Sequence, residues 1–273
     1  MAPAIDLRRA EMGELVDHLV DARRPREPFG TYVVRSADPA AALGRHLEQS
    51  VFLDTFGDTP QLLGVEYAPY EGASVFFLVV DHGRRLPAGT MRVILPSSRG
   101  FKSLDDFARV WGKPADQVLG RLDRTWDLTR VWDFATLAVA PEYRGAAALG
   151  LVTQSLVQAL TIVGRRWGAR RYVAILDVPV LRMLQWRMGR PFDEFPELEA
   201  RPYLGSPSSV AVWGDLATWD ERLARADPVL HQVVFAGRGL EAVVSTPAWD
   251  EATAVVADLS PAPVGPARTT DGR

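Results

Sequence analysis

Within VWDFATLAVAPEYRGAAALGLV, residues 131–152, one acid, Asp133, stands in a compact apolar run. The chain then turns through Pro141, Glu142, Tyr143, Arg144 and Gly145 into Ala146, Ala147 and Ala148, with Leu149 and Gly150 before the next apolar run. Small side chains at the start of a helix let successive backbone N–H groups approach phosphate oxygens, and the positive end of the helix favours the anion. Arg144 would add a cation there, or else pair with Glu142 or face solvent. Asp133, just ahead of the turn, would lie beside whatever the turn holds. A carboxylate so placed could take a proton from a nucleophile, which for a true base is worth ~10²–10⁴ in rate. Its other readings are a loop cap, or an ion pair with Arg92 or Arg130.

Other chemistries find little support. Cysteine is absent, which removes disulfides, thiolate metal sites and cysteine nucleophiles. His18, His46, His82 and His231 are far apart and form no HxxxH or HxH pair, so no metal site is expected. Neither GxSxG nor GxxxxGK[ST] occurs, which argues against serine hydrolases and P-loop enzymes. With a net charge of −3 and 24% charged residues, the chain has no global basic field, and neither nucleic acid nor anionic membrane is an expected partner. The stretch MAPAIDLRRAEMGELVDHLV carries charges every few residues, unlike a secretory leader, and no later run is long enough to span a bilayer. A soluble cytoplasmic protein is the expectation. Arg165, Arg166, Arg170 and Arg171 follow a helix, where its negative end favours cations whatever their use.

The elements that must position these residues are legible in outline. Leu7, Ala10, Leu15, Leu19 and Val20 are spaced as one helix face over 6–22, and the Pro-containing ARRPREPFG reads as a linker. TYVVRSA (31–37) reads as a strand. Asp38-Pro39 then offers a cap and a first-turn proline for a helix carrying Leu43, Leu47 and Val51 toward Gly57. SVFFLVVD (74–81) and AGTMRVIL (88–95) form an expected antiparallel hairpin. SLDDFARVWG reads as a helix opened by Ser103. VWDFATLAV suits a buried central strand, and Val152, Leu156, Ala159, Leu160 and Val163 make one helical stripe after the turn. RRYVAILD is a strand, PVLRMLQWRMG a short helix from Pro179 to Gly189, and SSVAVWGDL a returning strand. SPAPVGPARTTDGR has the composition of a disordered tail.

This order, with VAPEYRG at a strand–helix junction, resembles the GNAT acyltransferase superfamily, whose acyl-thioester-binding turn follows the fourth strand. Arg144-Gly145 matches the start of its Q/R-x-x-G-x-G/A signature, after which Ala147 and Leu149 occupy the small-residue positions and Gly150 falls one residue late. AGTMRVILPSS and VWDFATLAV further resemble the G-x-x-R-L-L-P-T and W-E-L-S-R-F-A-V strands of the acyl-homoserine-lactone (autoinducer) synthases and related N-acyl amino acid synthases. Arg92 falls on the arginine of the first and Trp132-Asp133 on the Trp-Glu of the second. GVEYAPYEGASVFFLVV is similar to the acidic E-x-D-x-Y-D segment, with Tyr70-Glu71 on its Tyr-Asp pair and Ala68 at an aspartate position. Gly189, Leu204 and Gly205 match the late Gly-Trp and Leu-Gly pair. Thr136 stands where the autoinducer synthases have arginine, and Gln185 where many acetyltransferases have a tyrosine.

The resemblance implies an α/β fold, a GNAT-like mixed and mostly antiparallel sheet flanked by helices. It also implies an acyltransferase domain over 30–220, with an N-terminal helical extension (1–29), a C-terminal addition packed on it (221–259) and a flexible tail (260–273). The implied function is N-acyl transfer from acyl-CoA or an acyl carrier protein to the amine of a small molecule such as an amino acid, without a metal. The alternative is a non-catalytic acyl-CoA-binding or regulatory module. Asp133, Glu71 and Arg92 are the catalytic candidates, Asp133 as base or amine binder, and Glu71 and Glu66 could receive a substrate ammonium. Backbone amides of Leu137 and Val139 would hold the pantetheine arm, and residues Arg144 to Gly150 the phosphates. Trp126, Trp132, Trp186 and Trp213 could wall an acyl tunnel or fill core.

Overall fold

The computed structural model describes residues 6–20, 26–122, 125–145 and 150–246. Ala146, Ala147, Ala148 and Leu149 of the turn lie outside these residues, as does the 260–273 tail.

Among the described residues, nine strands form one sheet. After α1 (Arg9–Val20) come β1 (Phe29–Arg35), α2 (Ala41–Phe56) and α3 (Pro60–Tyr67), then the hairpin of β2 (Ser74–Asp81) and β3 (Leu86–Ile94). α4 (Lys102–Trp111) and α5 (Ala115–Leu119) lead to β4 (Val131–Val139), α6 (Leu151–Arg166), β5 (Arg171–Asp177) and α7 (Val178–Arg187). β6 (Asp193–Glu194), β7 (Arg201–Tyr203) and β8 (Ser206–Asp215) precede α8 (Leu216–Ala226), α9 (Pro228–Val234) and β9 (Val244–Ser245). The strand order is β6-β8-β5-β4-β3-β2-β1-β9, with β7 beside β8. Among the described residues, β4/β5 and β1/β9 are parallel and the remaining pairs antiparallel.

The sheet is covered on both faces, so β3 is buried along its whole length. Gly44 of α2 sits over Phe76, Leu78 and Thr90, whereas Val152 and Leu156 of α6 sit over Gly89 on the other face. A Cβ at Gly89 would lie 2.4 Å from Val152. That glycine is what lets the helix after the turn approach the sheet. The expected α6 stripe is all buried. α2 ends at Gly57, whose left-handed φ of 75° turns its N–H back to the Leu53 carbonyl at 2.9 Å.

Two helix starts differ from expectation. α2 begins at Ala41 without a side-chain cap; Asp38 instead accepts the Ala40 N–H at 2.8 Å, closing a tight turn just before it. α4 begins at Lys102, so Ser103 is inside the helix and its hydroxyl is committed elsewhere. α3 was not anticipated, although Thr59-Pro60 is a cap-and-proline signal and Thr59 does accept the Leu62 N–H.

Candidate active site

β4 and β5 pair only from Val131–Asp133 to Arg171–Val173. β4 then stays with β3 as far as Val139, while β5 stays with β8 as far as Asp177. The parallel pair therefore splays open after Asp133. A bulge at Ala135, between the Arg92–Thr136 and Val93–Phe134 pairs, bends β4 at that point. The Ala140 N–H is bonded to Ala88 of β3 at 3.0 Å. Because N–H direction alternates along a strand, the amides of Leu137 and Val139 face the other way, toward the edge that β5 has left. Two donors expected to hold an acyl carrier are thus unpaired by the sheet and turned into the splay.

Two cavities open on this edge. One, of about 400 Å³, is bounded by Leu137, Val139, Arg144, Gly145, Gly150 and Arg187. The other, of about 70 Å³, is bounded by Asp58, Tyr67, Thr136, Leu137, Asp177 and Ser206 among others. Both share Phe52, Phe56, Leu137 and Val180, so they meet across the middle of β4. The larger one ends at the start of α6. Gly145 and Gly150 adopt left-handed φ values of 69° and 73°, which explains glycine at both ends of the turn. Arg144 donates Nε to the Val139 carbonyl at 2.7 Å, and Glu142 pairs with Arg84 rather than Arg144. Arg187, which the sequence reading did not single out, is 2.9 Å from a Cβ built on Gly150. Two cations therefore flank the helix start.

Asp133 lies elsewhere. It is fully buried, and both of its oxygens are held by Ser103: the N–H at 2.8 Å and the hydroxyl at 2.6 Å. Burial pushes its carboxyl up to about 6 against the pull of those hydrogen bonds. It borders neither cavity. A base must reach the proton it takes, and what the geometry gives Asp133 is the place of a buried cap of α4. Neither Arg92 nor Arg130 pairs with it.

Glu71 and Arg92 are brought together, at 2.7 Å, but within an ionic network. Arg92 is buried, donates Nε and one terminal nitrogen to Glu48 at 3.1 and 2.6 Å, and is sandwiched between the Tyr67 and Phe76 rings. Glu71 also binds Arg45 and Ser36, and these cations hold its carboxyl below its usual range despite burial. Thr136, at the family's arginine position, donates to Glu48. Glu66 is likewise taken, by Lys102 at 2.6 Å and Arg109 at 3.1 Å. A substrate ammonium would find Glu71 and Glu66 already neutralised.

The tryptophans do not wall a tunnel. Trp132 packs on Tyr172 in the core, Trp126 meets Trp213 edge-on, and Trp186 is exposed. Phe52 and Phe56 line the cavities instead. Gln185, at the tyrosine position, donates to the Phe192 carbonyl at 2.6 Å.

No protein-family model matches the chain, and no curated protein matches it. Solved structures do. FeeM, an N-acyl amino acid synthase from uncultured soil microbes, superposes with a TM-score of 0.54 at 11% identity, over 73% of this chain and 97% of its own. BjaI, a CoA-dependent acyl-homoserine lactone synthase solved with SAM and isopentyl-CoA, superposes with a TM-score of 0.48 at 13% identity, over 83% and 98%. At such identities the likeness is one of fold, and FeeM carries it. The chain has the GNAT fold, with a mixed, mostly antiparallel sheet flanked by helices, and resembles the synthase branch of that fold.

Proposed function

We propose that this protein is an N-acyltransferase that moves an acyl group from a phosphopantetheine thioester, on CoA or an acyl carrier protein, to the amine of a small molecule. The observation that carries this reading is the free edge of β4, where the amides of Leu137 and Val139 face a cleft that ends between Arg144, Arg187 and the start of α6. An extended pantetheine arm can add to such an edge as a strand does, with its phosphates toward the two arginines. The thioester carbonyl then lies near Leu137, at the junction with the smaller cavity, and a strand N–H polarises its oxygen. An amine in that cavity attacks the carbonyl carbon, the C–S bond breaks, and the amine proton passes to a carboxylate or water while the thiolate leaves. Asp58 and Asp177 border that cavity, and Asp133 does not.

The buried network acts through position. Arg92 ties Glu48 of α2 to β3, and Glu48 accepts from Thr136 just after the bulge, so α2 and the bent strand are held as one wall. The test is free-thiol release from an acyl-CoA chain-length series with mixed amines, and mass detection of the acylated amine. Amine-dependent release is expected. CoA binding without release across the whole series would favour a binding module instead.

A further inference from the structure

The smaller cavity has an imbalance of charge. Asp58 is 3% exposed, and its Oδ2 has no hydrogen-bond partner. Its other interactions include a hydrogen bond from the Gly205 backbone, and burial holds its carboxyl above the usual range. Leaving a buried carboxylate oxygen unpaired is costly unless a ligand supplies the missing donor. Asp177 adds a second carboxylate, which accepts from Ser206 at 2.6 Å, and Ser209 in turn donates to Ser206 at 2.9 Å. Among the described residues that line this cavity there is no Lys, Arg or His.

The cations behind Tyr203 and Tyr67 are used up. Lys102, beyond Tyr203, directs its ammonium at Glu66, Asp106 and the Tyr203 oxygen, at 2.6, 2.7 and 2.9 Å, and so spends three donors on three acceptors. Arg92, beyond Tyr67, is held by Glu48 and Glu71. Arg144 and Arg187 border the other cleft. The rest of the wall is apolar: Phe52, Phe56, Ile175, Val180 and Leu204. A ligand carboxylate placed here would meet two like charges and no compensating cation, whereas an ammonium would meet two carboxylates in apolar surroundings.

We infer that the acceptor is a small organic amine that carries no carboxylate, bound through its ammonium by Asp58 with Asp177 alongside, rather than an amino acid. This rests on reading the Leu137 edge as the thioester site. Discrimination would come from repulsion of the acid as much as from attraction of the amine. Deprotonation follows binding: the ammonium gives a proton to Asp177 or water and attacks as the free amine.

Three pairs of probes test this, each an amino acid and the amine left when its carboxylate is removed: phenylalanine and phenethylamine, leucine and isoamylamine, lysine and cadaverine. Calorimetric titration of the full chain, with and without CoA, should show at least one amine binding tenfold or more tightly than its amino acid. Asp58→Asn should weaken that amine at least tenfold, and Asp177→Asn should weaken it less. An amino acid binding as tightly as its amine, no amine binding at all, or undiminished binding in a folded Asp58→Asn would overturn the inference. The wild-type comparison decides alone if the variant does not fold. Amine binding without acyl transfer would sink the transferase reading and leave only the Asp58 amine site standing.

Discussion

Ser103 and Asp133 are joined by two hydrogen bonds, the Ser103 N–H to Oδ2 at 2.8 Å and its hydroxyl to Oδ1 at 2.6 Å. A carboxylate on β4 thereby closes the first turn of α4, which lies 30 positions earlier in the chain. One of the N–H donors that the start of a helix leaves free is thus satisfied by a strand rather than by a preceding cap residue, and the Ser103 hydroxyl adds a second bond.

This relationship has a pH signature. The folded Asp133 carboxyl is raised to about 6, against about 3.9 in an unfolded chain. Its contribution to stability is fully present below the unfolded value and is lost as pH rises from about 4 through about 6. Across that window the native state binds more protons, so ionising Asp133 costs on the order of 3 kcal/mol. Asp133→Asn cannot ionise. Urea unfolding at several pH values should show wild type losing stability relative to Asp133→Asn over this range, and parallel profiles would refute the buried-cap account. Turnover in the variant should stay within about tenfold of wild type, since loss of a general base would cost ~10²–10⁴.

The Arg92–Glu48 pair should behave as a buried ion pair. Arg92→Met leaves Glu48 and Glu71 without their main cation and should destabilise by about 3–5 kcal/mol. Adding Glu48→Leu should recover part of that loss, because removing both charges costs less than orphaning one. Denaturant midpoints of the two variants check this, and an additive double mutant would show that the two residues do not act as a pair.

Arg144 and Arg187 sit at the end of the cleft proposed to take the phosphates. Each change to Ala should weaken CoA by about 1–2 kcal/mol, as expected for losing a charged contact, while pantetheine, which lacks the nucleotide and diphosphate, should bind the variants and wild type alike. Gly145→Val adds a Cβ that meets nothing within 4 Å. Its penalty comes from the left-handed φ of 69°, roughly 1–2 kcal/mol. Equal CoA affinity in all three variants, measured by calorimetry, would move the phosphate site away from this turn.

How much of this was readable depends on where each residue's partner lies. β4 and the helix α6 were legible because a buried strand and an apolar helical stripe are local patterns. Glu71 and Arg92 were legible as individual residues through their motifs, but not as an ion pair with Glu48, which lies on another helix. Asp133 reads as a base from sequence because its partner Ser103 sits at the start of α4 and no local pattern links them. Asp58 was not singled out, since a lone aspartate between Gly57 and Thr59-Pro60 carries no local mark of a site. What makes it a buried orphan is the close approach of the chain near Gly205, which no local pattern reveals. Asp177 and Arg187 were passed over because each ends or follows an ordinary element, and the splay that turns them to account appears only when β4 and β5 part.

Gly205 supplies the sharpest test of the Asp58 wall. A Cβ built there would stand 2.2 Å from the Phe56 carbonyl oxygen and 2.8 Å from the Phe56 Cβ, closer than side chains pack, so even alanine must push the two segments apart. The same glycine donates its N–H to the Asp58 carboxylate, and Phe56 lines both cavities. Gly205→Ala should therefore cost about 1–3 kcal/mol of stability by overpacking and should loosen the hold on Asp58. Amine affinity, scored with the tightest-binding of the three amines, should drop tenfold or more, while CoA affinity should change by less than threefold because the end of the cleft proposed for the phosphates is built from other elements. Parallel losses of amine and CoA binding would mean that the variant disturbs the whole splay. Undiminished amine affinity in a destabilised but folded variant would show that the Gly205 contact does not set the position of Asp58.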